Sequence, residues 1–143
     1  MEGYKELIIV IAEDDEGHAE LIKLGLRDSG ICNKIIRFAN GEEAWQFFEG
    51  TSKTEIRDKN KSYLLLLDIN MPKMDGVEVL RRLKADDEFK DIPVIMLTTT
   101  DDPREVEMCY KIGCNIYITK PVDFLKFSET LRNLGLFIQV VRI

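Results

Sequence analysis

The sequence predicts an α/β fold: a doubly wound, five-stranded parallel sheet with helices on both faces. Three observations lead there. Five short apolar runs rich in branched residues are spaced along the chain. A segment with helical spacing of apolar residues separates each run from the next. The runs are apolar throughout rather than alternating, as strands buried on both faces require.

Taken in order, the strands are expected at 7–12, 34–39, 64–67, 94–98 and 116–119. Between and after them, Ala19, Ile22 and Leu26 share one helical face, as do Ala44, Phe47 and Phe48, and then Val79, Leu80 and Leu83. Val106, Cys109 and Tyr110 form a fourth stripe, and Phe124, Phe127, Leu131 and Leu134 a fifth. Asp102-Pro103 reads as an N-cap followed by proline at the first helical position. The polar stretch 50–63 reads as a long surface loop before the third strand. Right-handed crossovers restrict the topology, and the ligand crevice of such a sheet lies at the carboxyl ends of its strands.

The 143 residues fit a single domain over 1–143, with its core at about 6–134 and an apolar C-terminal extension at 135–143. The residues beyond 134 are too few for a second, output domain. A net charge of -6 lacks the electrostatic footprint for binding nucleic acid unaided. No apolar run approaches the roughly 20 residues of a membrane span, and the N-terminus is not signal-like, so a cytoplasmic location is expected. Cys32, Cys109 and Cys114 form no CxxC pair and read as structural thiols. His18, the single histidine, excludes His-rich metal sites and is expected on the polar side of an early helix.

The chemistry-bearing residues stand at the ends of the apolar runs. Glu13 and Asp14 follow the first, Asp68 the third, Thr98 closes the fourth, and Lys120 follows the fifth. Alone, each has an ordinary explanation: a helix cap, a turn or a β-forming threonine. Together, three carboxylates at neighbouring strand ends repel unless a cation joins them, and the donor set suits a hard, oxygen-preferring ion. Magnesium fits best, with manganese able to substitute. One lysine and one hydroxyl complete a set suited to phosphoryl transfer onto a carboxylate. Asp68 would attack phosphorus, Lys120 would neutralise a phosphoryl oxygen, and Thr98 would donate to another. Backbone N–H groups of Ile69, Asn70 and Thr99 would complete the cradle.

These residues resemble the receiver domains of two-component response regulators, the CheY-like superfamily. The matching motifs are Glu13-Asp14, Asp68-Ile-Asn-Met-Pro-Lys-Met-Asp-Gly76, Thr98 and Lys120-Pro121. The resemblance spans about residues 6–134. The resemblance implies a flavodoxin-like sheet of order 2-1-3-4-5, the order of flavodoxin and CheY themselves. It implies a phosphoacceptor, Asp68, charged from the phosphohistidine of a sensor histidine kinase or phosphotransfer protein. Asp14, Asp68 and the backbone carbonyl of Asn70 would hold the metal, with Glu13 touching it directly or through water. Thr98 and Tyr117 would form the switch that reshapes a surface for a downstream protein partner. The loop at 50–63, Leu97-Thr98-Thr99-Thr100 and the apolar tail further resemble stand-alone receivers such as cyanobacterial phytochrome partners. Members of that subgroup often dimerise through the C-terminal face, which makes a homodimer a further expectation.

Two other classes compete. An aspartate-nucleophile phosphohydrolase shares this pocket chemistry but usually carries a second acid two residues past the nucleophile, where this chain has Asn70. A phosphorylation-independent binding module would retain the fold without needing the intact acidic, hydroxyl and lysine set.

Overall fold

The computed structural model describes residues 5–140. Its elements run β1 (Leu7–Ala12), α1 (Glu16–Asp28), β2 (Ile35–Phe38), α2 (Gly41–Glu49), β3 (Ser62–Leu67), α3 (Gly76–Ala85), β4 (Val94–Thr98), α4 (Pro103–Ile112), β5 (Ile116–Thr119) and α5 (Phe124–Val140). All strand pairs are parallel, and the order is β2-β1-β3-β4-β5. The order reverses direction next to β1, between β1 and β3, where a crevice opens at the strand ends.

Successive residues of each strand point to opposite faces, so each run feeds two cores. Ile8, Val10, Leu65, Leu67, Val94 and Met96 pack against Phe47, Val79, Leu80 and Cys109 on the side of α2, α3 and α4. Ile9, Ile11, Leu64, Leu66, Ile95 and Leu97 pack against Ile22, Leu26, Phe127, Leu131 and Leu134 on the side of α1 and α5. Burying a side chain of this size stabilises by about 1.5–3 kcal/mol. Helix starts are set by side chains that accept from free backbone N–H groups: Asp15 from His18, Asn40 from Glu43, Asp75 from Glu78 and Asp102 from Arg104.

Several boundaries differ from the sequence expectation. β2 is shorter at both ends, whereas β3 begins two residues earlier. Ser62 and Tyr63 pair with Leu7 and Ile8, so the edge of β1 recruits a polar and an aromatic residue into the sheet. The preceding connection is accordingly shorter. The expected extension from 135 is largely helix: α5 continues to Val140, with Gly135 and Ile138 buried and Leu136, Phe137 and Val140 exposed. Residues 141–143 lie outside the described residues. In the fourth stripe only Cys109 is buried, and Tyr110 is 47% exposed. Its hydroxyl instead accepts from the Tyr117 N–H at 2.9 Å. No disulfide forms; Cys32 is exposed, and burial pushes the Cys114 thiol up to about 11. Among the described residues no helix is long and apolar enough to cross a membrane.

The segment after β3 closes on itself at Gly76. Its N–H donates to the Ile69 carbonyl at 2.9 Å. A Cβ at this position would lie 2.0 Å from the Asp68 carbonyl oxygen and 2.9 Å from the Ile69 Cα, both backbone atoms that cannot swing aside. Gly76→Ala is therefore expected to lower the free energy of unfolding by about 1–3 kcal/mol, the usual cost of overpacking. Urea denaturation followed by circular dichroism measures it, and an unchanged midpoint would contradict the tight closure.

Candidate functional site

Parallel register brings the chemistry together. Ala12 pairs with Leu67, so Glu13 and Asp68 leave adjacent strands at the same level. The Asp68 N–H donates to the Ala12 carbonyl at 3.0 Å, which fixes the acceptor strand end against the acidic one. Thr98 pairs with Thr119, and the Lys120 N–H returns to the Thr98 carbonyl at 2.6 Å. Because β4 lies between β3 and β5, Thr98 ends between the strands that carry Asp68 and Lys120.

Four of these side chains are removed from solvent: Glu13, Asp68, Thr98 and Lys120 are all buried, while Asp14 is exposed. Carboxylate oxygens of Glu13, Asp14 and Asp68 lie within 4.8 Å of one another. The Lys120 ammonium is ion-paired with Glu13 and stands 3.4 Å from Asp68 Oδ2. The Asp68 Oδ1 accepts from the Ile69 N–H at 2.8 Å. Burial pushes the Glu13 carboxyl up to about 7; Lys120 opposes the rise and nearby Asp68 adds to it. The Thr98 hydroxyl is buried with no hydrogen-bond partner among the described residues. An orphaned buried hydroxyl is costly unless something occupies the space beside it.

The remaining predicted residues frame the opening. Asn70 and Thr99 are exposed. The Asn70 amide donates to Thr100 Oγ1 at 3.2 Å, joining the loop after β3 to the loop after β4. Tyr117 is half-buried, and its hydroxyl donates to the Thr100 carbonyl at 2.6 Å. Burial raises this phenol to about 12, so it stays a neutral donor across the physiological range.

Two participants are absent from the sequence expectation. His18 does not sit on the polar side of α1: it is half-buried, with Nδ1 3.1 Å from Lys120 Nζ and its ring edge-on to Phe127 at 5.7 Å. An ammonium only donates, so Nδ1 accepts and helps hold the lysine in place. The signal was available, since His18 precedes buried Ile22 by four residues and shares its face. Arg37, on β2, donates through Nε and Nη2 to the Glu13 carbonyl at 2.9 and 2.7 Å and through Nη2 to the Asp14 carbonyl at 3.2 Å. It pins the acidic turn by its backbone.

The donor set fits a hard divalent cation: three carboxylates converge, one of them open to solvent, and no imidazole or thiolate is among them. Without such a cation, Glu13 gives the fold a characteristic pH dependence. Its folded value of about 7 lies above the ordinary 4.5, so the stabilisation is present below about 4.5 and is lost as pH rises through about 7. Urea unfolding in EDTA is therefore expected to show stability declining across that window. Glu13→Gln should flatten the decline, and equal slopes in the two proteins would count against this assignment.

The chain is similar to known proteins over most of its length. The family model described as response regulator receiver domain matches residues 9–132. The response regulator Rcp1 of Synechocystis sp. is 34% identical over 113 residues, covering 79% of this chain and 76% of the relative. Three solved structures share the fold. A receiver domain from Rhodospirillum rubrum superposes with a TM-score of 0.88 at 41% identity, covering 95% of this chain and 96% of the other. A manganese-bound form of response regulator Rcp1 gives 0.85 at 28% identity, covering 95% and 97%. The phosphorylated cyanobacterial phytochrome response regulator RcpA gives 0.82 at 26%, covering 97% and 98%. With the matched model spanning most of its length and the sheet order in agreement, the chain belongs to the response regulator receiver domains of two-component signalling.

Proposed function

We propose that this receiver is a phosphoacceptor switch in which Asp68 takes a phosphoryl group from the phosphohistidine of a sensor kinase or phosphotransfer protein. The observation that carries the reading is the presence together of buried Lys120, 3.4 Å from Asp68, and a buried Thr98 hydroxyl that has no partner among the described residues. Each supplies what a phosphoryl group on Asp68 lacks: a cation for one oxygen and a donor for another.

In the transfer, an Asp68 carboxylate oxygen forms a bond to phosphorus as the P–N bond to the donor imidazole breaks. The electron pair of that bond stays on the imidazole nitrogen, and the product is an acyl phosphate. Lys120 neutralises the developing charge as a point cation, and His18 keeps its ammonium aimed into the site. The N–H groups of Ile69, Asn70 and Thr99 complete the cradle. Glu13, Asp14, Asp68 and the Asn70 carbonyl would hold magnesium or manganese, which when bound offsets the charge on the carboxylates and the phosphoryl oxygens. Manganese-bound Rcp1 and phosphorylated RcpA are relatives in which a metal and a phosphoryl group occur, and both support the reading.

Output follows from the same groups. A Thr98 hydroxyl drawn toward the phosphoryl group frees space beside β4, and Tyr117 exchanges its bond to the Thr100 carbonyl for an inward position. The surface around α4, β5 and α5 changes with it and meets a downstream protein. Leu136, Phe137 and Val140, exposed along α5, give a C-terminal face through which two copies would pair.

Mass spectrometry after incubation with magnesium and acetyl phosphate tests the proposal. One phosphoryl group should appear on the wild type, none on Asp68→Ala, and none on wild type in EDTA. Sustained release of phosphate over many turnovers would instead mark a phosphohydrolase, and an unmodified wild type would mark a binding module. For the pairing, sedimentation should show a dimer that Phe137→Glu dissociates; a wild type that stays monomeric at high concentration, phosphorylated or not, rules it out.

A further inference from the structure

β1 stops at Ala12 and α1 starts at Glu16, so the carbonyls of Glu13 and Asp14 belong to neither the strand nor the helix. Backbone acceptors in such a turn need donors from elsewhere. Arg37 supplies them across the edge of the sheet. Its Nε and Nη2 both donate to the Glu13 carbonyl, at 2.9 and 2.7 Å, and Nη2 also donates to the Asp14 carbonyl at 3.2 Å. The Glu13 N–H is fixed from the same strand, donating to the Phe38 carbonyl at 3.0 Å. Two residues that offer carboxylates to the cation site are thus gripped from β2 through their main chain, and the grip uses neither carboxylate.

Arg37 is shaped and placed for this grip. β2 is the outermost strand, and Arg37 pairs in register with Ile11, two residues before Glu13. Ile36 and Phe38 are buried in the layer of α2, α3 and α4, whereas Arg37 shares the other face of the strand with Ile35. It is half-buried, and among the described residues its guanidinium pairs with no carboxylate. The ordinary explanation of a charged residue on an edge strand is that it discourages further strand pairing. That role asks only for a charge in solvent. Directed bonds from one planar fork to two consecutive carbonyls ask for a fixed shape.

We propose that Arg37 is a positioning residue for the divalent-cation site: by clamping the Glu13 and Asp14 carbonyls, it sets where their carboxylates stand relative to Asp68. The inference rests on the reading of Glu13, Asp14 and Asp68 as cation ligands. Asp14 depends on the clamp most, because Glu13 is also held by Lys120 and by the Asp15 N–H at 3.1 Å, whereas Asp14 is exposed. Without the clamp, the turn regains torsional freedom that binding must then remove. The loss depends on the ion: magnesium demands near-octahedral geometry, whereas calcium accepts a flexible shell of oxygens. The charge of Arg37 acts in the opposite sense, since it repels a cation. Arg37→Lys separates the two effects, because it keeps the charge and loses the fork.

The test is titration of the full chain with magnesium and with calcium, followed by amide chemical shifts, for wild type, Arg37→Met and Arg37→Lys. Saturable binding to the wild type is expected, with shifts centred on residues 13–15 and 68–70. Arg37→Met should lose magnesium affinity by about tenfold or more, the usual cost of removing the support behind a metal ligand, and Arg37→Lys should lose most of the same. Both should lose less affinity for calcium. Urea midpoints establish that each variant is folded in the titration buffer, and Arg37→Lys carries the test if Arg37→Met does not fold. Unchanged magnesium affinity in Arg37→Lys, equal losses for the two ions, or a gain in Arg37→Met would each overturn the proposal while leaving the cation site standing. A wild type that binds neither ion would overturn both.

Discussion

Everything at the carboxyl edge of the sheet depends on one buried ammonium. Glu13 and Asp68 are carboxylates out of contact with water, and two like charges at that proximity favour protonation of one of them. Lys120 lies against both and is held by Glu13 and His18. Removing its charge would leave two buried anions with no compensation, which costs far more than the pair contributes when intact. The rest of the fold serves that placement: register aligns the strand ends, and Arg37 holds the acidic turn from outside.

The same constraint makes the pocket receptive. A site lined with anions and a single resident cation is electrostatically incomplete, and the solvent-facing Asp14 leaves it open on one side. Thr98 adds an unused donor at the far wall. The fold has thus placed these groups together at one edge of the sheet.

How much of this could be read from the chain varies with how local the signal was. Strand ends could be read because the runs are apolar without interruption and stop at a charge or a hydroxyl; Asp68 after four leucines is the clearest case. The full length of α5 could not, because Gly135 looks like a helix terminator. Its real reason is close packing: a Cβ there would lie 1.8 Å from the Ser29 hydroxyl oxygen, which only the tertiary structure reveals. Ser62 and Tyr63 lack the apolar character of the run that follows and become strand through pairing with β1. Arg37 had no local motif, since its partners are carbonyls 24 and 23 residues away. His18 differs: its polarity suits the solvent face, but its four-residue spacing from buried Ile22 turns it inward.

The division of the sheet into two packed layers has a consequence for how information crosses the molecule. Along β5, Ile116 and Ile118 pack with the layer of α1 and α5, whereas Tyr117 packs with the layer of α2, α3 and α4. Turning that ring, as proposed, would therefore change the contents of one layer and leave the neighbours of the other as they were. A single strand, by alternating its side chains, acts as a partition between two compartments. The layer packed on α1 and α5 would keep its contents while the layer facing α4 changes, so a change felt along α4, β5 and α5 would originate on one side of the sheet only.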